Sequence, residues 1–141
     1  MKKLLPILLV LMMLCSTAFA AGFEVPAEGY DGSEVTITFC TQQGTALQEV
    51  TTNYIAEFNK LYPNIHVEHT TQGSYDDVRD QIVTDISVSA QPNVAYCYPD
   101  HVALYNLAKA VQTLDELIDS KVEVTRADGT TEILGLTDEQ K

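Results

Sequence analysis

Apolar residues along this chain recur first at helical and then at strand spacing, and the change falls within a few residues. Leu47, Val50, Tyr54, Phe58 and Leu61 lie three or four apart, which predicts one buried face of a helix. Pro63 lacks the N–H that the helical ladder needs and disfavours helical angles just before it, so the helix is predicted to stop at Tyr62. Beyond Asn64 the period falls to two, with Ile65 and Val67 on one side and His66 and Glu68 on the other, as in a strand. Upstream, Val35-Thr36-Ile37-Thr38-Phe39 is a β-branched and aromatic run of strand length. A strand, a helix and a strand in succession predict a β-α-β crossover.

The alternation continues. The second strand, Ile65 to Thr70, is broken by Gln72-Gly73, and Ser74 stands three residues before Asp77 as the cap of a new helix. Val78, Ile82 and Ile86 predict that helix's buried face, and Pro92 ends the segment. A third strand is expected from Asn93 to Tyr98, with Asp100 capping a third helix that carries Leu104, Leu107 and Ala108. The order βαβαβα predicts an α/β fold, a mainly parallel sheet flanked by helices. Ligands of open sheets sit beyond the carboxyl ends of the strands, which nominates Cys40 to Gly44, Gln72 to Tyr75, and Tyr98 to His101 as ligand loops. Past Leu114, Asp115 to Asp119 reads as a helical turn, and Val122–Thr125 and Thr131–Leu134 flank the turn dipeptide Asp128-Gly129 as a hairpin. Thr137 and Gln140 form a further capping pair. A one-turn helix is unstable by itself, so the chain is expected to be a truncated piece that stops inside a domain.

The first twenty residues change the compartment. Lys2 and Lys3 precede an apolar run from Leu4 to Cys15, and Ala18-Phe19-Ala20 offers a small-x-small cleavage pattern, which predicts a signal peptide cut after Ala20. The run is too short for a bilayer span, which needs roughly 20 residues. Lipid anchoring at Cys15 is the weaker reading, because Leu14 is not the small residue that precedes a lipidated cysteine. Residues 21–34, rich in Gly, Pro and Glu, read as a flexible lead-in, and 35–141 as a single folded unit. Without Lys2 and Lys3 the chain has 6 basic residues against 20 acidic ones, a formal charge of −14. That surface argues against nucleic acid and anionic membrane as partners. Neither G-x-S-x-G, G-x-G-x-x-G nor G-x-x-x-x-G-K-[ST] occurs, so no hydrolase elbow or phosphate cradle is predicted, nor any cofactor or enzymatic activity. His66 and His69 are three apart on a strand and face opposite sides, which argues against a shared metal ion.

Several segments, in this order and spacing, resemble the N-terminal part of bacterial extracellular solute-binding proteins, family 1, the sugar-binding proteins of ABC importers. They are Val35 to Phe39, Phe58-Asn59-Lys60-x-Tyr62-Pro63-Asn64-Ile65-x-Val67, Gly73-Ser74-Tyr75-Asp76-Asp77, Gln91-Pro92-Asn93-Val94 and Tyr98-Pro99-Asp100-His101-Val102. The resemblance implies a partial N-terminal lobe of the periplasmic-binding-protein-like (type II) fold. It further implies a monomeric, non-enzymatic receptor, periplasmic or extracellular, that closes over a small solute, a sugar, and delivers it to ABC permease subunits. Two positions depart from the family pattern. Cys40 stands where Trp is common, removing an aromatic sugar platform, and Asn93 stands where Asp is usual, which is expected to alter only a local turn.

Sugars are held by planar polar side chains that bond hydroxyls in pairs and by aromatic faces that stack on the ring. Gln42, Gln43, Gln72, Tyr75, Tyr98 and Asp100 are of these types and fall in the nominated loops. Each has a plainer alternative. The glutamines at 42 and 43 are also ordinary turn residues, Tyr75 also suits a sheet edge, Tyr98 a buried tyrosine, and Asp100 a helix cap. If the strand order follows the family, Cys40 and Cys97 end neighbouring strands, which leaves a disulfide or two buried thiols open. Other solutes, such as a peptide, polyamine or metal chelate, fit the same architecture, and a small secreted α/β enzyme is the reading from a different class. A single partial lobe is not expected to close on a ligand by itself.

Overall fold

Strand β1 (Val35–Gln42) is the centre of a parallel sheet in the order β2-β1-β3, with β2 (Ile65–Gln72) and β3 (Val94–Ala95) at its sides. The computed structural model describes residues 25–27 and 29–141, so the expected signal segment lies outside the described residues. Pairing of β1 with β2 runs in register from Val35 opposite Ile65 to Gln42 opposite Gln72, while β3 pairs only as Val94 with Phe39 and Ala95 with Cys40. Side chains alternate along a strand, so Ile37, Phe39, Val67 and Val94 share one face and Cys40 and Ala95 the other. Helix α1 (Thr45–Leu61) covers the first face; α2 (Tyr75–Ser87) and α3 (Pro99–Leu107) cover the second.

The buried core lies on the second face. Val78 and Ile82 from α2 meet Cys40 and Tyr105 there, with Ile86, Ala95, Cys97 and Val111 packed around them. Val78 and Ile82 lie one helical turn apart on the face that the periodicity predicts, and burial of an aliphatic side chain of this size contributes about 1.5–3 kcal/mol. Ser74 caps α2 as expected: its Oγ accepts the Asp77 N–H at 3.1 Å and donates to Asp77 Oδ2 at 2.7 Å.

Helix α1 ends at Leu61 before Pro63 as predicted, but its buried face is displaced from the expected one. Leu47, Val50 and Tyr54 are exposed, Phe58 and Leu61 are half-buried, and Thr51 is the residue driven inward. Thr51, Tyr54, Ile55 and Phe58 line an apolar cleft with Ile37, Phe39, Val67 and Tyr96, so the helix rests on the sheet along a stripe that overlaps the expected one only at Tyr54 and Phe58. The sheet is only three strands wide among the described residues and leaves the rest of the apolar face uncovered. The third strand is likewise shorter than the expected Asn93 to Tyr98, although Tyr96 N–H still donates to Cys40 O at 2.9 Å.

Beyond α4 (Asp115–Ile118), strands β4 (Glu123–Thr125) and β5 (Thr131–Ile133) form the predicted hairpin, and Gly129 supplies the positive φ of 82° in its loop. The hairpin seals the N-terminal end of the sheet. Ala127 N–H donates to Leu61 O at 2.8 Å, and Glu132 takes both the Tyr62 hydroxyl and the Arg126 guanidinium. Gly29 belongs to this seam: at its φ of 66°, an added Cβ would stand 2.6 Å from Val124 Cγ1. Thr137 N–H donates to Gln140 Oε1 at 2.8 Å, the expected capping contact, over a turn at 138–140.

Asn93 ties β3 to β1. Its Oδ1 accepts from Thr38 N–H at 2.8 Å and Thr38 Oγ1 at 3.0 Å, and its own N–H donates to Thr38 Oγ1 at 3.0 Å. The position uses a carboxamide oxygen only as an acceptor, a role that an aspartate oxygen fills equally well. Asn93→Ala is therefore expected to lower stability by about 1–2 kcal/mol in guanidinium denaturation, and Asn93→Asp to stay within about 0.5 kcal/mol of the parent.

Candidate functional site

Parallel pairing brings the ends of β1, β2 and β3 to one edge of the sheet, and the three nominated loops meet there. Gln42 and Gln72 are direct partners in the register, and Gln42 Nε2 donates to Gly73 O at 3.3 Å, which joins the first loop to the second. The second and third loops meet through aromatic rings. Tyr75 opens α2 and Tyr98 precedes α3, and their ring centroids are 4.4 Å apart at an interplanar angle of 36°, within the range of offset stacking. Tyr98 is 51% exposed, so one face of the pair is available to a ligand. Gln42, Gln72 and Tyr75 are half-buried, a suitable state for side chains that must keep a fixed direction and still present polar atoms.

One of the expected site residues, Gln43, is used otherwise, and Asp100 does not make the cap that the sequence predicts. Gln43 turns inward and is buried; its Oε1 accepts from Thr51 Oγ1 at 2.9 Å, and its backbone carbonyl accepts from Gln48 Nε2 at 3.0 Å. It anchors the start of α1, because a polar side chain buried at a helix entrance must find partners locally. Asp100 is exposed and does not cap α3. The cap position is Tyr98 in extended conformation, Pro99 is the first helical residue, and Asp100 lies in the first turn, where its charge suits the helix dipole.

Cys40 and Cys97 are free thiols: Cys40 is buried in the core and Cys97 is half-buried beside it, so the bridge is not formed. Burial pushes the Cys97 thiol up. His66 and His69 lie on opposite faces, His66 beside Glu34 at 3.0 Å and His69 bonded to Thr41 Oγ1 at 2.8 Å. Among the described residues no group of three His, Cys, Asp or Glu side chains is placed to hold a metal ion.

His101 was not singled out by the sequence, although Tyr98, His101 and Tyr105 stand three and four apart at helical spacing. Its imidazole is only 3% exposed and meets the Tyr98 ring edge to face, with centroids 5.5 Å apart and planes at 66°. A groove of about 380 Å³ between Tyr30, Tyr62, Asn64 and Arg126 lies at the other end of the sheet, where β2 begins, and belongs to the hairpin seam.

The family model for bacterial extracellular solute-binding proteins matches residues 41–132. No curated protein matches. Among solved structures, an extracellular solute-binding protein family 1 from Alicyclobacillus acidocaldarius subsp. acidocaldarius DSM 446 matches with a TM-score of 0.54 at 22% identity, over 59% of this chain and 21% of that one. The chain thus spans about a fifth of the length of that structure, and the likeness concerns the fold.

The core beneath the site carries a pH signature. Burial, then the negative charge of the neighbouring Cys97 when it is ionised, pushes the Tyr105 phenol up to about 12 from an ordinary value of 10.0. Between those values the unfolded chain binds fewer protons than the folded one. The stabilisation is intact below about pH 10 and is lost as the pH rises towards 12. Denaturant titrations are expected to show Tyr105→Phe losing less stability than the parent across that window, by on the order of 2 kcal/mol.

Proposed function

We propose that this chain, which belongs to the bacterial extracellular solute-binding protein family, is part of the substrate-binding component of an ABC importer and binds a carbohydrate. Its place of action is the periplasm or the cell exterior, reached by a signal peptide cleaved after Ala20, and it performs no chemistry. The observation that carries the reading is the stacked pair Tyr75–Tyr98 at the joined strand ends, half open to solvent beside Gln42 and Gln72.

Each part has a physical role. The exposed face of Tyr98 offers a flat apolar surface to the C–H face of a pyranose, and carboxamides supply a donor and an acceptor in one plane for adjacent hydroxyls. Cys40 gives the sheet end no aromatic platform, and Tyr75 and Tyr98 supply one from the second and third loops. A second lobe would close over this edge, remove water from the sugar and present the closed form to the permease.

Calorimetry of the exported protein with its second lobe present, against neutral mono- and disaccharides, tests the reading; this partial lobe alone is not expected to bind them. At least one is expected to bind with micromolar affinity, and Tyr98→Ala to weaken it about tenfold or more, as loss of an aromatic anchor does. Binding of a peptide, polyamine or metal chelate with no sugar binding would overturn the carbohydrate assignment.

A further inference from the structure

Tyr98 is half exposed, so contact with solvent does not fix the plane of its ring. Behind it lies His101, in edge-to-face contact with it. That imidazole is 3% exposed, and its backbone N–H donates to Tyr98 O at 3.0 Å, so the two residues share the first turn of α3. Pro99 between them restricts the backbone to helical φ at the first position. The ring arrangement is directional: Tyr75 and Tyr98 are stacked at 36°, and His101 and Tyr98 meet edge to face at 66°. Edge-to-face contacts of this kind set relative orientation, because the positive rim of one ring meets the negative face of the other.

Packing alone does not explain a histidine here. Its Nδ1 is buried and has no hydrogen-bond partner among the described residues, a cost that an aliphatic side chain would not incur. Tyr105, one turn further along α3, lies with its ring centroid 6.5 Å from that of His101 and continues the row of rings into the core.

We infer that His101 is a positioning residue for the solute platform: its buried ring fixes the plane of Tyr98 and thereby the stacking of Tyr98 on Tyr75. The inference rests on the reading of Tyr75 and Tyr98 as the platform, but its test needs no ligand. Isotope-labelled tyrosine, with Tyr75→Phe and Tyr98→Phe variants to identify the two rings, gives an aromatic NMR spectrum in which contacts between the Tyr75 and Tyr98 rings are assignable. The exported protein is expected to show cross-ring nuclear Overhauser effects between them. His101→Phe, which keeps the aromatic edge, should retain these at parental intensity, whereas His101→Leu should weaken them by about fivefold or more while the amide spectrum of the core is unchanged. Should His101→Leu not fold, His101→Met asks the same question with a more adaptable side chain. Retention of the contacts at parental intensity in the folded Leu or Met variant would overturn the proposal, as would their loss in the folded Phe variant. A protein that binds no sugar yet shows this pattern would refute the carbohydrate assignment and leave the role of His101 standing.

Discussion

The in-register pairing of β1 with β2 is the constraint from which the rest of this structure follows. Eight consecutive residues of each strand run parallel, so both strands end at the same height, with Gln42 opposite Gln72. A shift of one residue would send Cys40 to the opposite face and empty the core that Val78, Ile82 and Tyr105 build around it. The Asn93–Thr38 contacts then fix β3 against β1, although only two residues of β3 pair. Tyr98 therefore arrives beside Tyr75 through backbone pairing two strands away. The aromatic contact at the strand ends is a consequence of sheet register.

Elements that the chain encodes locally were legible in its sequence. Pro63 stops α1, Ser74 caps α2, Val78 and Ile82 face inward, and Asp128-Gly129 turns the hairpin, because each effect acts within one or two turns of its cause. Features that depend on what lies opposite were not. Helical spacing marks Leu47, Val50 and Tyr54 as apolar neighbours, yet only the sheet decides which stripe of α1 it meets, and Leu47 and Val50 stay outside the cleft that Thr51, Tyr54, Ile55 and Phe58 line.

The candidate site divides along the same line. Position at the strand ends was readable, since it follows from element order, and it gathers Gln42, Gln72, Tyr75 and Tyr98 at one edge. Side-chain direction was not. Gln43 differs from Gln42 by one residue, and alternation at the strand end sends it into the seam with Thr51. Asp100 looked like a cap because acidic residues often are, but Pro99 fixes the helix start one residue earlier and gives the cap position to Tyr98. A buried histidine has no composition signal, and within the Tyr98 to His101 loop only the spacing from Tyr98 and Tyr105 marks His101.

The Phe58–Glu68 junction identifies the scaffold and lies at the end of β2 remote from Gln72, where Tyr62 is engaged with the hairpin through Glu132. The junction and the proposed solute-binding edge thus lie at opposite ends of one sheet. Hydrogen exchange of the exported protein with and without its bound solute tests that division most directly. The account predicts slowed exchange on binding in residues 40–44, 72–75 and 98–101, with the 61–64 and 123–127 segments unchanged. Protection confined to the latter two segments would contradict it.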